Sequence, residues 1–205
     1  MEKIILKSFI LISSILLIGC AATYKPINPP SVKYNSFAFQ DGIEFSYKYD
    51  VLRERGNKKL AKKEDKKGVR LVAIKVTNNT DSVINIGKDV IFYCGQNPIV
   101  PIEPQALKRS IQQVVPGYLP YLLLTFVTLN VTTGNSAETF RIGYILGPFI
   151  TIGNMVVAGS ANKNLLTELN NYNLLNRDIQ NGETVYGIIG IRDSGYNTIS
   201  LKTRK

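Results

Sequence analysis

The sequence predicts a mainly β fold: an antiparallel sandwich with a helical insertion and one further amphipathic helix. Short segments rich in β-branched and aromatic residues recur between Ile43 and Cys94, and the same idiom returns between Thr184 and Thr203. Turn residues punctuate them at spacings of about eight to twelve positions, as in sandwiches. Between the two β-rich regions the chain carries no charge from Ser110 to Ala137 or from Ile142 to Asn162.

The N-terminus has a charged head at Lys3 and Lys7, an apolar run from Phe9 to Ile18, and then Leu17-Ile18-Gly19-Cys20. This is the three-part layout of a secretory signal. The run has about half the roughly 20 residues that a bilayer-spanning helix needs. Leu17, Ile18, Gly19 and Cys20 resemble the lipobox of bacterial prolipoproteins; the alternative is an ordinary secretory signal. The resemblance implies cleavage before Cys20, a diacylglyceryl group on its sulfur and often an acyl group on the new amine. Two or three chains hold a protein stably where one does not. Residues 1–19 are thus expected to be a signal peptide and Cys20 a lipid anchor to a membrane of the bacterial cell envelope. Ala21, where retained enterobacterial lipoproteins carry Asp, points to the outer membrane.

Residues 20–36 contain Pro26, Pro29 and Pro30 and no strand or helix period, and are expected to form a lipidated tether. The folded domain then covers 37–205, with the insertion at about 105–161. Its first strand is Ile43–Val51, where Ile43, Phe45, Tyr47, Tyr49 and Val51 alternate with polar residues. Arg53–Arg70 carries nine basic residues against three acidic ones. It has two readings: a solvated hairpin tip, or a contact with an anionic surface through Arg53, Arg55, Lys58, Lys59, Lys62, Lys63, Lys66 and Lys67. Val69–Thr77 is nearly continuous in apolar character, as a central strand buried on both faces requires. Ser82–Ile86 and Asp89–Cys94 follow as strands, and Cys94 is expected to be a buried strand thiol. Near the C-terminus, Thr184–Ile191 and Thr198–Thr203 are strands. Before them, Asn164–Leu175 repeats Leu165, Leu166, Leu169, Tyr172 and Leu175 at helical spacing.

The run Val72–Thr80 and the later Ile179–Ile191 are similar to strand patterns of uncharacterised immunoglobulin-like domains in bacterial lipoproteins. That resemblance implies an immunoglobulin-like β-sandwich with no activity attached.

Within the uncharged middle, Tyr118–Val131 and Ile142–Ala161 resemble an apolar helical hairpin joined by the polar loop Thr132–Arg141. Three placements fit: core-facing helices, a hairpin lying in the interface of a leaflet, or a transmembrane pair.

Histidine and tryptophan are absent. Histidine-activated Ser or Cys hydrolysis and the commonest transition-metal ligand are therefore unavailable. No phosphate-binding Gly-rich loop occurs, and the carboxylates Glu103, Glu138, Glu168, Asp178, Glu183 and Asp193 have no paired spacing. Lys3, Lys7 and Glu2 leave with the signal, so 25 basic and 15 acidic residues become 23 and 14. A basic exported chain calls for an anionic lipid or envelope protein as neighbour, and export argues against nucleic acid. The expectation is a non-catalytic envelope lipoprotein, without cofactor or metal, acting as an interaction or structural component. Its rivals are a membrane-binding or translocation accessory that uses 118–161 and the basic loop 53–70, and, remotely, a carboxylate-dependent hydrolase.

Overall fold

A computed structural model describes residues 20–133 and 136–204. The expected signal peptide, with Leu17, Ile18 and Gly19, lies outside the described residues. In chain order, a 3-10 turn (Pro29–Ser31) precedes β1 (Ala38–Gln40), β2 (Ile43–Lys48), α1 (Val51–Glu54), α2 (Lys58–Lys67), β3 (Val69–Asn78), β4 (Ile84–Asn85), α3 (Ile86–Asp89), β5 (Val90–Cys94), β6 (Asn97–Ile99) and α4 (Pro104–Ile111). A 3-10 segment (Val115–Phe126), β7 (Leu129–Thr133), β8 (Ser136–Phe140), α5 (Gly143–Asn171), β9 (Asp178–Ile179), β10 (Thr184–Arg192) and β11 (Ile199–Thr203) follow. Helix accounts for 38 % and strand for 30 %, so the fold is a mixture of helices and antiparallel sheets rather than mainly β. Of the described residues, a smaller unit holds 20–23 and 113–161, and a larger one holds 24–112 and 162–204.

The larger unit contains a four-stranded sheet, β1-β2-β3-β10, a three-stranded sheet, β11-β5-β6, and the short pair β4-β9. All pairings are antiparallel, with Phe45 opposite Val76, Val72 opposite Ile189 and Phe92 opposite Leu201. Ile43, Phe45, Val72, Ile74, Val76, Phe92, Ile189 and Leu201 belong to one buried cluster, so both larger sheets share a core. Phe45 and Phe92 meet edge to face in it, with ring centroids 6.4 Å apart. The other face of β3, which includes Leu71 and Ala73, is buried too, and α1, α2 and the 3-10 turn pack on that strand. Burial on both faces is why β3 reads as continuous apolar sequence. Cys94 is the expected buried strand thiol; burial, then the Asp193 carboxylate, pushes its pKa up.

Three expectations change. The Ser82–Ile86 strand shrinks to Ile84–Asn85. The segment 20–36 is no free tether in its larger part: Tyr24 and Ile27 are buried, and the Glu168 carboxylate accepts hydrogen bonds from the Tyr24 hydroxyl, the Ile27 N–H at 3.0 Å and the Asn28 N–H at 2.7 Å. The basic stretch is neither a hairpin tip nor a loop, because most of it is α1 and α2. Lys, Leu, Ala and Glu are good helix formers, and Gly68, at φ 60°, ends α2 in the left-handed conformation that favours glycine. Only Leu60, Ala61 and Glu64 turn inward, too few apolar positions to reveal a helical period from sequence.

Glu64 is 3 % exposed and accepts the Leu71 N–H at 2.6 Å. Burial pushes its carboxyl up from 4.5 to about 7, against the opposing pull of that hydrogen bond and of the Arg70 guanidinium. The folded state therefore holds a proton that the unfolded chain releases near 4.5. Stability from this group is complete below that value and falls as pH rises to about 7, by up to about 3 kcal/mol. Glu64→Gln is expected to melt higher than the wild type at pH 8 and no higher at pH 4.5. Melting curves across that range check it; a pH-independent difference refutes it.

Candidate membrane-facing surface

The smaller unit inverts the usual distribution of side chains. Along its part of α5, the buried stripe is Gly143, Gly147, Thr151, Asn154, Ala158 and Ala161, at helical spacing. The outward face carries Tyr144, Ile145, Leu146, Phe149, Ile152 and Val156, with Ile145 75 % and Phe149 76 % exposed. Small and polar residues thus point in while large apolar ones point out, the reverse of a helix packed on a water-soluble core. The next turns of the same helix, in the larger unit, restore the ordinary order: Leu165 and Leu169 are buried, while Lys163, Asn164, Thr167 and Asn170 are exposed. This half of α5 is the expected amphipathic helix, and it ends at Asn171 rather than Leu175.

The inward stripe is small because the backbone approaches it closely. A Cβ built on Gly147 would lie 2.6 Å from the Thr125 amide nitrogen, and one on Gly143 would lie 2.3 Å from the Leu124 carbonyl oxygen. Gly-x-x-x-Gly is a spacing that admits such contact in apolar surroundings. The polar groups that face inward are satisfied locally, with the Thr151 hydroxyl donating to Gly147 O at 2.7 Å and the Asn154 amide to Ile150 O at 2.8 Å.

Of the 20 exposed large apolar side chains found among the described residues, 15 lie between Val114 and Val156. The 3-10 segment contributes Leu119, Leu122, Leu123 and Phe126. The β7–β8 ribbon contributes Leu129, Val131 and Phe140, with Leu129 opposite Phe140 across it. The only charged residues of 113–161 are Glu138 and Arg141. The sequence expectation of a helical hairpin is corrected here: the first apolar stretch is 3-10 helix and ribbon, with Pro120 within the 3-10 segment, and only the second is an α-helix. Core-facing helices are excluded by the same exposures. By length and composition α5 could cross a bilayer, and only 22 % of its most apolar window is buried.

Cys20 is exposed and belongs to this unit. The residues after it are fixed there, Ala21 N–H donating to the Asn154 Oδ1 of α5 and Ala22 N–H to Gln113 Oε1 at 3.0 Å, while Gln113 Nε2 donates back to Ala22 O. A group attached at Cys20 is thus one residue from a backbone amide held on the apolar helix.

The basic residues separate by type. Arg53 bridges Asp65 at 2.9 Å, Arg70 bonds the same carboxylate, and Arg55 Nε donates to Ile27 O at 2.9 Å, so the arginines serve the fold. The lysines of α2 form two columns at four-residue spacing, Lys58-Lys62-Lys66 and Lys59-Lys63-Lys67. Lys58, Lys62, Lys66 and Lys67 are exposed. Lys63 is half-buried, donates to Gln112 O, and has its pKa lowered first by burial and then by Lys67, Lys59 and Lys66.

Four of the candidate carboxylates are engaged separately: Glu168 with the Tyr24–Asn28 segment, Glu183 with Arg177 at 2.8 Å, Asp178 with Asn85, and Asp193 with Gly195 and Asn197. No cluster of three or more His, Cys, Asp or Glu residues that could hold a metal occurs among the described residues. A groove of about 550 Å³ in the larger unit is lined by Phe92, Ile99, Leu175 and other apolar residues, with Lys88 and Arg204 among them.

Comparison with protein-family models, curated proteins and solved structures finds no match.

The close approach at Gly147 makes a specific demand. Gly147→Val is expected to cost about 1–3 kcal/mol as an overpacked site, and hydrogen exchange should rise in Val115–Phe126 while β3 and β10 keep their protection. Undiminished protection of Val115–Phe126 would contradict the packing described.

Proposed function

We propose that this chain is a bacterial envelope lipoprotein, anchored through acyl chains on Cys20, whose smaller unit lies with its apolar face in the same leaflet. The observation that carries this reading is the inverted α5: large apolar side chains face outward in the unit that holds the acylation site. Exposed apolar surface of this extent needs lipid or another subunit against it, and acyl chains at Cys20 bring lipid to it. An interfacial placement fits better than a two-pass crossing. Twelve residues of 3-10 helix rise about 24 Å, short of the roughly 30 Å apolar core, and a lone two-stranded ribbon has open edges that lipid cannot satisfy.

The role is non-catalytic, with the larger unit as the part presented to the aqueous side, and outer-membrane residence follows from Ala21 under the enterobacterial sorting rule. The larger unit is also proposed to be an immunoglobulin-like sandwich, which two antiparallel sheets around one core support.

Two experiments test the reading. Intact mass after expression in a lipoprotein-processing bacterium should equal residues 20–205 plus two or three acyl chains, and the acyl mass should vanish in Cys20→Ala; an unlipidated wild type removes the anchor. Separately, a chain beginning at residue 20 with Cys20→Ser should sediment with phosphatidylcholine vesicles. Phe149→Ser with Ile152→Ser should weaken that binding at least about tenfold, since a large apolar side chain gains about 1.5 kcal/mol or more on burial. Both side chains are exposed, so the melting temperature should hold; unchanged binding defeats the docking surface.

A further inference from the structure

We infer that the lysine face of α2 binds the anionic phosphate headgroups of the leaflet that holds the lipid anchor. The inference rests on the membrane reading above and supplies its lipid preference.

Among the described residues no ion pair is found for Lys58, Lys62, Lys66 or Lys67. Of the three acids between Arg53 and Arg70, Glu54 pairs with Lys48 at 2.8 Å, Asp65 takes both Arg53 and Arg70, and Glu64 is buried on the Leu71 N–H. The two columns leave four like-charged pairs at four-residue spacing, Lys58-Lys62, Lys62-Lys66, Lys59-Lys63 and Lys63-Lys67, each of which opposes the helix. The helix forms nonetheless, because Leu60, Ala61 and Glu64 hold its inner face. A layer of phosphates relieves that repulsion.

Chain connectivity limits the length of backbone between Cys20 and the start of α2. The Asn57 side chain, at the start of α2, accepts from Lys25 N–H at 2.9 Å and donates to Lys25 O at 2.7 Å. Cys20 is five residues upstream of Lys25, so at most about 18 Å of extended chain separates them. Juxtamembrane lysines gain roughly fivefold in binding each near an anionic surface, an attraction that decays within a Debye length. Lysine, a compact and strongly hydrated charge, suits a fluid array of headgroups better than a bidentate site does, and the arginines of this region are the residues tied into the fold.

The test uses the chain from residue 20 with Cys20→Ser, and vesicles of phosphatidylcholine alone or with about a third phosphatidylglycerol. Wild-type protein is expected to bind the anionic vesicles about a hundredfold more tightly at low salt, and Lys58→Gln, Lys62→Gln, Lys66→Gln together should remove most of that gain. Glutamine keeps the helix, and melting checks it. Equal binding to both vesicles, or a gain that survives the triple substitution, overturns the inference while the docking surface stands on the neutral vesicles. A gain that the glutamines abolish, without any neutral binding, supports the lysines and sinks the docking surface. Binding of polyglutamate through these lysines with no vesicle gain makes an acidic protein the partner and overturns the lipid assignment.

Discussion

One helix carries two opposite demands. From Asn162 to Asn171, α5 buries Leu165 and Leu169 in the larger unit and exposes polar residues. From Gly143 to Ala161 it buries Gly, Thr, Asn and Ala and exposes Phe149, Ile152 and Val156. Taken over its whole length the helix has no consistent apolar side, because the two halves cancel. The hydrophobic effect is non-directional and roughly proportional to the apolar area removed from water. Burying the small stripe here allows the close backbone approach to Leu124 and Thr125 and leaves the large apolar side chains exposed.

The chain after Cys20 is organised by hydrogen bonds rather than by apolar packing alone. In the smaller unit Ala21 and Ala22 are held by Asn154 and Gln113; in the larger one Tyr24, Ile27 and Asn28 converge on the Glu168 carboxylate. A buried carboxylate is costly unless donors surround it, and three donors do so here. Burial and the Glu168 hydrogen bond together keep the Tyr24 hydroxyl protonated by raising its pKa. A segment fixed this way does not act as a long spacer.

The β framework was legible because strands announce themselves by period. The alternation of Ile43, Phe45 and Tyr47, the unbroken apolar run in β3 and the β-branched residues of β10 and β11 each follow from how many faces a strand buries. Helix α2 was not legible as a helix, since a helix held by two apolar residues and a buried glutamate has almost no apolar period to detect. The 3-10 segment and the β7–β8 ribbon were also hidden: Tyr118–Val131 is apolar throughout, and composition without period does not separate helix from strand.

The sequence by itself determined the antiparallel strand idiom, the absence of histidine, the presence of a lipobox-like stretch before Cys20, and the existence of an uncharged apolar middle. Each is a matter of residue type and local spacing. Tertiary structure decided which side of that middle faces outward, that Glu168 gathers the chain after the cysteine, and that Arg53, Arg55 and Arg70 bond within the fold while Lys58, Lys62, Lys66 and Lys67 are exposed. These are long-range pairings, set by which backbones come close enough to exclude a Cβ and which buried donors need an acceptor. Neither is written in the neighbours of a residue along the chain.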